Sequence, residues 1–163
     1  MSSTAQPAAG AQPAIDGWFT TDAEPHLLGK RCPRCGTFAF PPTAQWCPNP
    51  GCMNDTVDTV PLSRRATIWS YTDARYQPPP PYITVTDPYV PFSIVAAELA
   101  EEKLIVLGQV ADGFGLDDLE VGGTVELVVE PMYSVDGVEK LTWRWRPISS
   151  SASSGALAGK DAS

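Results

Sequence analysis

The sequence predicts a mainly β protein, an N-terminal rubredoxin-like zinc ribbon followed by a five-stranded OB-fold barrel. Three observations carry that expectation. All four cysteines fall in one stretch, Cys32-Pro-Arg-Cys35 and Cys47-Pro-Asn-Pro-Gly-Cys52. Beyond them, five runs rich in β-branched and aromatic residues are separated by turn signals. One turn of helix at most, within residues 115–119, falls between the third and fourth runs, which is the OB plan. A β-sandwich is the alternative on strand count alone.

Taken in order, residues 1–14 are Ala, Ser, Gln, Pro and Gly with little to bury, and disorder is expected there. Residues 15–62 read as an N-terminal arm and the ribbon. Trp18-Phe19 is its first anchor, and residues 20–24 could cap a short helix that Pro25 would stop. Residues 26–31 run extended into the first cysteine pair. A short aromatic strand, Phe38-Ala39-Phe40, ends at Pro41-Pro42, and Phe38, Phe40 and Trp46 are expected to wrap the metal site. Residues 63–147 are the OB domain: strands at 66–76, 92–99, 104–110, 124–132 and 138–146. Gly108 sits where a barrel corner would need it, Asp136-Gly137 is a hairpin signal, and Pro147 ends the last strand. Residues 148–163 read as a disordered tail.

Thiolates at this spacing converge on one tetrahedral metal, and zinc suits such a site because it imposes no geometry of its own. Cys-x2-Cys is the usual knuckle, and Cys-x4-Cys is wider but within the zinc range. Iron in a rubredoxin-like site and a pair of disulfides are the competing readings. Four cysteines in 163 residues is far below the density of a disulfide scaffold. Four thiolates also close the zinc shell, leaving no position for water, so the metal is expected to be structural.

The formal charge is −8, which speaks against general affinity for nucleic acid or anionic membranes. It is unevenly spread. From His26 to Ala97 there are six Lys/Arg and four Asp/Glu (+2), and from Glu98 to Glu139 one base and eleven acids (−10). An anionic ligand should therefore approach the first half. The N-terminus has neither the basic region nor the apolar core of a signal peptide, and no apolar run is long enough to span a membrane, so a cytoplasmic protein with reduced cysteines is expected.

The residues Arg31-Cys32-Pro33-Arg34-Cys35-Gly36, Phe40-Pro41-Pro42, Trp46-Cys47-Pro48, Thr67-Ile68-Trp69-Ser70-Tyr71-Thr72 and Val121-Gly122-Gly123-Thr124-Val125-Glu126 resemble the acyl-CoA-associated zinc-ribbon/OB-fold family over about 18–146. The wide second knuckle, Cys47-x4-Cys52, departs from the family's usual Cys-x2-Cys but keeps the ligand count. The resemblance implies an accessory subunit of a thiolase-superfamily enzyme, either a thiolase or a lipid-transfer-protein-type aldolase. It further implies a heteromer, expected to be a heterotetramer, acting on acyl-CoA thioesters in steroid, aromatic or fatty acyl-CoA degradation. The residues agree. Thiolase chemistry needs an activated cysteine, whereas every cysteine here is assigned to metal and His26 is the single histidine.

Smaller features have competing readings. Arg64, Arg65 and Arg75 flank the first barrel strand and could meet CoA phosphates, or form a solvated strand end. The proline loop, 77–91, and the aromatic residues Tyr82, Tyr89 and Phe92 could lie over a partner enzyme near its acyl-CoA entrance, or pack on their own barrel. Trp143 and Trp145 could stack bases, but their shared face with Leu141 favours core. Asp117-Asp118 and Glu101-Glu102 read as solvated turn residues. A nucleic-acid-binding zinc/OB protein is the alternative function, and an electron carrier with bound iron is a third.

Overall fold

A computed structural model describes residues 10–80 and 86–148. Among these residues nine strands form two sheets: β1 (Gln12–Pro13), β2 (Leu28–Arg31), β3 (Phe38–Ala39), β4 (Asp58–Pro61), β5 (Arg65–Ala74), β6 (Phe92–Leu99), β7 (Leu104–Val110), β8 (Thr124–Val135) and β9 (Val138–Ile148). A single 3-10 turn, Leu116–Asp118, lies between β7 and β8. The ribbon is the antiparallel sheet β3-β2-β4, and the barrel is the sheet β1-β9-β7-β6-β5-β8 with β8 and β9 also paired. β5 meets β8 antiparallel, and β7 closes the barrel by a short parallel pairing with β9, Gln109 to Arg144 and Val110 to Trp145. The mainly β ribbon-plus-OB architecture expected from the strand count is therefore the fold observed.

Alternation sets the inner face. Val95, Ala97 and Leu99 of β6, Val106 and Val110 of β7, Val125 and Leu127 of β8, and Leu141 and Trp145 of β9 are buried together. Phe19, Leu27 and Leu62 belong to the same cluster, so ribbon and barrel share one core. Trp145 is wholly buried and explains Gly108: a Cβ there would lie 2.8 Å from the Trp145 ring and 3.1 Å from Trp143 Nε1. The glycine admits the indole rather than merely bending a corner. Gly108→Ala is expected to destabilise the barrel by about 1–3 kcal/mol through overpacking, measured as a lower urea midpoint at unchanged slope.

Several details differ from the sequence reading. Gln12–Pro13, expected to be disordered, pairs parallel with Lys140–Leu141, and Lys140 Nζ donates to Gln12 Oε1 at 2.8 Å. Residues 20–24 form no helix; a bridge between Phe19 and Leu27 brackets them and Asp22 Oδ1 accepts the Glu24 N–H. β8 runs on to Val135, so the connection expected over 133–137 shrinks to Asp136-Gly137, both at positive φ as a tight hairpin turn requires. Pro147 does not end β9; it pairs opposite Val125 one residue before the strand stops. Ile148, expected to begin the disordered tail, is the last residue of β9, and residues 1–9 and 149–163 lie outside the described residues.

The junction of the two sheets is clamped. Glu102, expected to be solvated, is 7% exposed, and its Oε1 accepts both the backbone N–H and the hydroxyl of Ser63, at 2.7 and 2.9 Å. The His26 Nδ1 ring nitrogen lies 2.9 Å from the Leu62 carbonyl oxygen, a contact made by its N–H tautomer. Trp18, Phe19 and Phe40 then pack on Trp143 with ring centroids 5.7–6.0 Å apart.

Candidate metal centre and flanking surfaces

Two knuckles bring the four thiols together. In the first, Cys32 N donates to Thr37 O and Gly36 N to Cys32 O, both at 2.9 Å, a turn that needs the positive φ of Gly36 (75°). In the second, Asn49 absorbs the two extra residues: its carbonyl accepts Cys52 N, its side chain accepts Gly51 N, and its own N–H points at Cys47 Sγ. Asn54 O then accepts Cys47 N and closes the loop.

The four Sγ atoms of Cys32, Cys35, Cys47 and Cys52 lie within 4.8 Å of one another, with Cys32 to Cys52 at 3.9 Å and Cys35 to Cys47 at 3.5 Å. A tetrahedron with zinc–sulfur bonds of about 2.3 Å has edges near 3.8 Å, so the set fits one ion. A disulfide requires about 2.05 Å, and all four thiols are free. Local bonding splits their acidities. The Thr37 hydroxyl beside Cys35, at 3.1 Å, and the Thr37 backbone lower that thiol to about 6, while burial pushes Cys47 up to about 12. Cys32 is lowered, chiefly by the Cys35 backbone, and Cys52 is raised by burial.

The expected aromatic wrapping is only partly present. Phe38 lies beneath the Arg31 guanidinium at 5.6 Å, and Phe40 turns toward Trp18 and Trp143. Trp46 is 66% exposed; with Met53 and Pro48 it borders an open depression beside the second knuckle. Nearness in sequence to the cysteines does not place an aromatic against the metal site; burial is decided by which strand packs on the barrel.

The three arginines do not converge. Arg64 sits between Glu24 (3.7 Å) and Glu126 (3.4 Å), Arg65 is exposed beside it, and Arg75 pairs with Asp73 (3.0 Å) at the far end of β5. Ten residues of strand span about 30 Å, so no single phosphate group reaches both ends. Arg146 is likewise taken up by Glu126 at 2.9 Å, and Arg144 by Asp112 and Glu130. Tyr89 donates its hydroxyl to Ala74 O at 2.7 Å and meets Phe92 edge-on at 6.3 Å, so this part of the proline loop is pinned to its own barrel. Tyr82 lies outside the described residues. Trp145 is core, and Trp143, half-buried, packs on Trp18, Phe19 and Phe40, so the two do not form an exposed pair for stacking bases. No helix among the described residues is long and apolar enough to cross a membrane.

Residues 22–57 match the family described as ChsH2, rubredoxin-like zinc ribbon domain. The chain is 32% identical over 126 residues to the benzoylsuccinyl-CoA thiolase subunit BbsA of Thauera aromatica, covering 76% of this chain and 78% of that protein. The BbsA of Geobacter metallireducens is 39% identical over 49 residues, 30% of this chain and 31% of that one. Among solved structures, the Ltp2-ChsH2(DUF35) aldolase aligns with a TM-score of 0.54 and 24% identity over 75% of this chain and 84% of that chain, a likeness of fold.

Proposed function

Since the chain belongs to the acyl-CoA-associated zinc-ribbon/OB-fold family, with the BbsA thiolase subunits among its relatives, we propose that it is a non-catalytic accessory subunit of a thiolase-like enzyme acting on an acyl-CoA thioester. The observation that carries this is the match to BbsA across both the ribbon and the barrel. The residues support the division of labour. All four cysteines stand in one sulfur cluster suited to a closed, structural zinc, and the single histidine is turned to a backbone carbonyl. Chemistry on the thioester then belongs to the partner, in a cytoplasmic heteromer whose substrate is of the steroid, aromatic or fatty acyl-CoA kind. Zinc, when bound, fixes the ribbon; Cys32, Cys35, Cys47 and Cys52 hold it. Any contact with CoA phosphate falls at the Arg64–Arg65 end of β5, where Arg65 is exposed. Phe92, at the start of β6, faces the partner, with Tyr89 holding it in place.

The test is co-expression with the thiolase-like subunit encoded nearest this gene. The two chains should co-purify, and thiolysis or retro-aldol cleavage of acyl-CoA should require both. Turnover by this chain alone, or a fully active partner that never associates with it, would overturn the reading. A gel shift with single-stranded DNA at physiological salt would favour the nucleic-acid alternative.

A further inference from the structure

Where β7 and β9 part beyond their two paired residues, the barrel wall opens into a groove. One half, about 260 Å³, is lined by Phe92, Ile94, Leu107, Met132 and Trp143. The other, about 460 Å³, shares Phe92 and Met132 with it and runs between Thr86, Val90 and Pro91 on one side and residues 111–115 on the other, over Arg144. The floor of the first half is apolar, with Leu107 62% exposed, and Ile105, beyond the lining on the same face of β7, is 49% exposed. The rim of the groove is acidic. Arg144 is only 13% exposed and is consumed by Asp112, Glu130 and the carbonyls of Val110 and Pro131, while the Asp112 side chain is 70% exposed. Asp118 stands at the same edge, its carboxylate accepting Gly115 N at 2.9 Å. Two carboxylates, Asp112 and Glu130, thus neutralise the one cation, and Asp118 adds a third acidic group beside Gly115, which lines the same groove.

We propose that this groove is the docking site for the thiolase-like subunit, which inserts an apolar side chain between Phe92 and Leu107 and flanks it with Lys or Arg facing Asp112 and Asp118. This rests on the functional reading above. Apolar floors with charged rims give an interface its energy at the centre and its steering at the edge, and the acidic rim demands a basic counterpart.

The test uses full-length chain and the thiolase-like subunit that co-purifies with it, identified by mass spectrometry, with Kd measured at two salt concentrations. Leu107→Glu should weaken binding at least about tenfold, and Val121→Glu, on a site outside the groove, should not. Asp112→Asn should weaken it less and flatten its salt dependence. If Leu107→Glu loses its fold or its zinc, the salt dependence of Asp112→Asn decides. Wild-type affinity in both variants refutes the groove while sparing the functional reading. A wild-type chain that binds no thiolase-like subunit refutes both. A homodimer that Leu107→Glu dissolves would give the groove to a second copy of this chain and overturn the assignment.

Discussion

Cys32→Ser is expected to empty the ribbon of zinc and release the thiolase-like partner. Cys32 is fully buried, and with all four cysteines already in the cluster the chain has no fifth thiol to take its place. Structural zinc contributes apparent binding free energies of about 10–16 kcal/mol to comparable small modules. Losing one of four thiolates should therefore lower the metal content from about one ion per chain to near zero. The three-stranded sheet has two-residue and four-residue strands and little core of its own, so it should unfold while barrel strands β5–β9 remain. Trp143, which lines the docking groove, should then lose its Phe40 contact and the groove its shape. Metal analysis and limited proteolysis within residues 32–57 read the two effects separately. Acid should act in the same direction. A thiol at about 12, as Cys47 is before metal binds, is protonated at pH 7. Zinc must displace that proton, so affinity falls at least about tenfold for each unit of pH lost. A zinc-free Cys32→Ser that still assembled into a fully active complex would show that the ribbon has no part in docking. Cobalt substitution or visible absorption separates zinc from iron, since iron tetrathiolate is coloured.

Most of the barrel was legible because its signals are local. Alternation along 124–132 and 138–146 gives both the strands and the inner face, and Asp136-Gly137 gives the turn. The ribbon was legible for a different reason, that cysteine spacing reports geometry directly. The misses share a physical cause, namely partners far away in sequence. Gln12–Pro13 is a strand only because Lys140–Leu141 offers a free edge 128 residues later. Glu102 is buried only because Ser63 presents two donors from the ribbon exit. Arg64 reads as a free cation until Glu24 and Glu126 arrive from separate segments. The groove was missed differently: Leu107 looks like ordinary core in a run of apolar residues, but the pleat of β7 turns it and Ile105 outward while Val106 and Val110 face the core.

The Trp143→Ala substitution tests whether ribbon and barrel act as one body. Its indole is the contact at which the N-terminal arm (Trp18, Phe19), the ribbon (Phe40) and β7 meet, the last through Nε1 donating to Leu107 O at 3.1 Å. Half-buried rather than fully buried, the ring should cost about 2–3 kcal/mol on removal, or about 5–10 °C in Tm for a chain of this size. The location of the loss matters more than its size. Zinc should stay bound, because no ligand is touched, and amides of β5 and β6 should exchange as in the wild type. Amides in 18–42 should exchange faster, since the arm and the Phe40 segment lose their seat. Trp143→Phe, which keeps the ring contacts and drops only the bond to Leu107 O, should fall between the two. Unchanged exchange across 18–42 in Trp143→Ala would mean that the Glu102–Ser63 and His26–Leu62 clamps alone fix the ribbon. The aromatic cluster would then be packing without a positioning role, and the attachment of the ribbon to the barrel would rest on those two hydrogen-bonded ties.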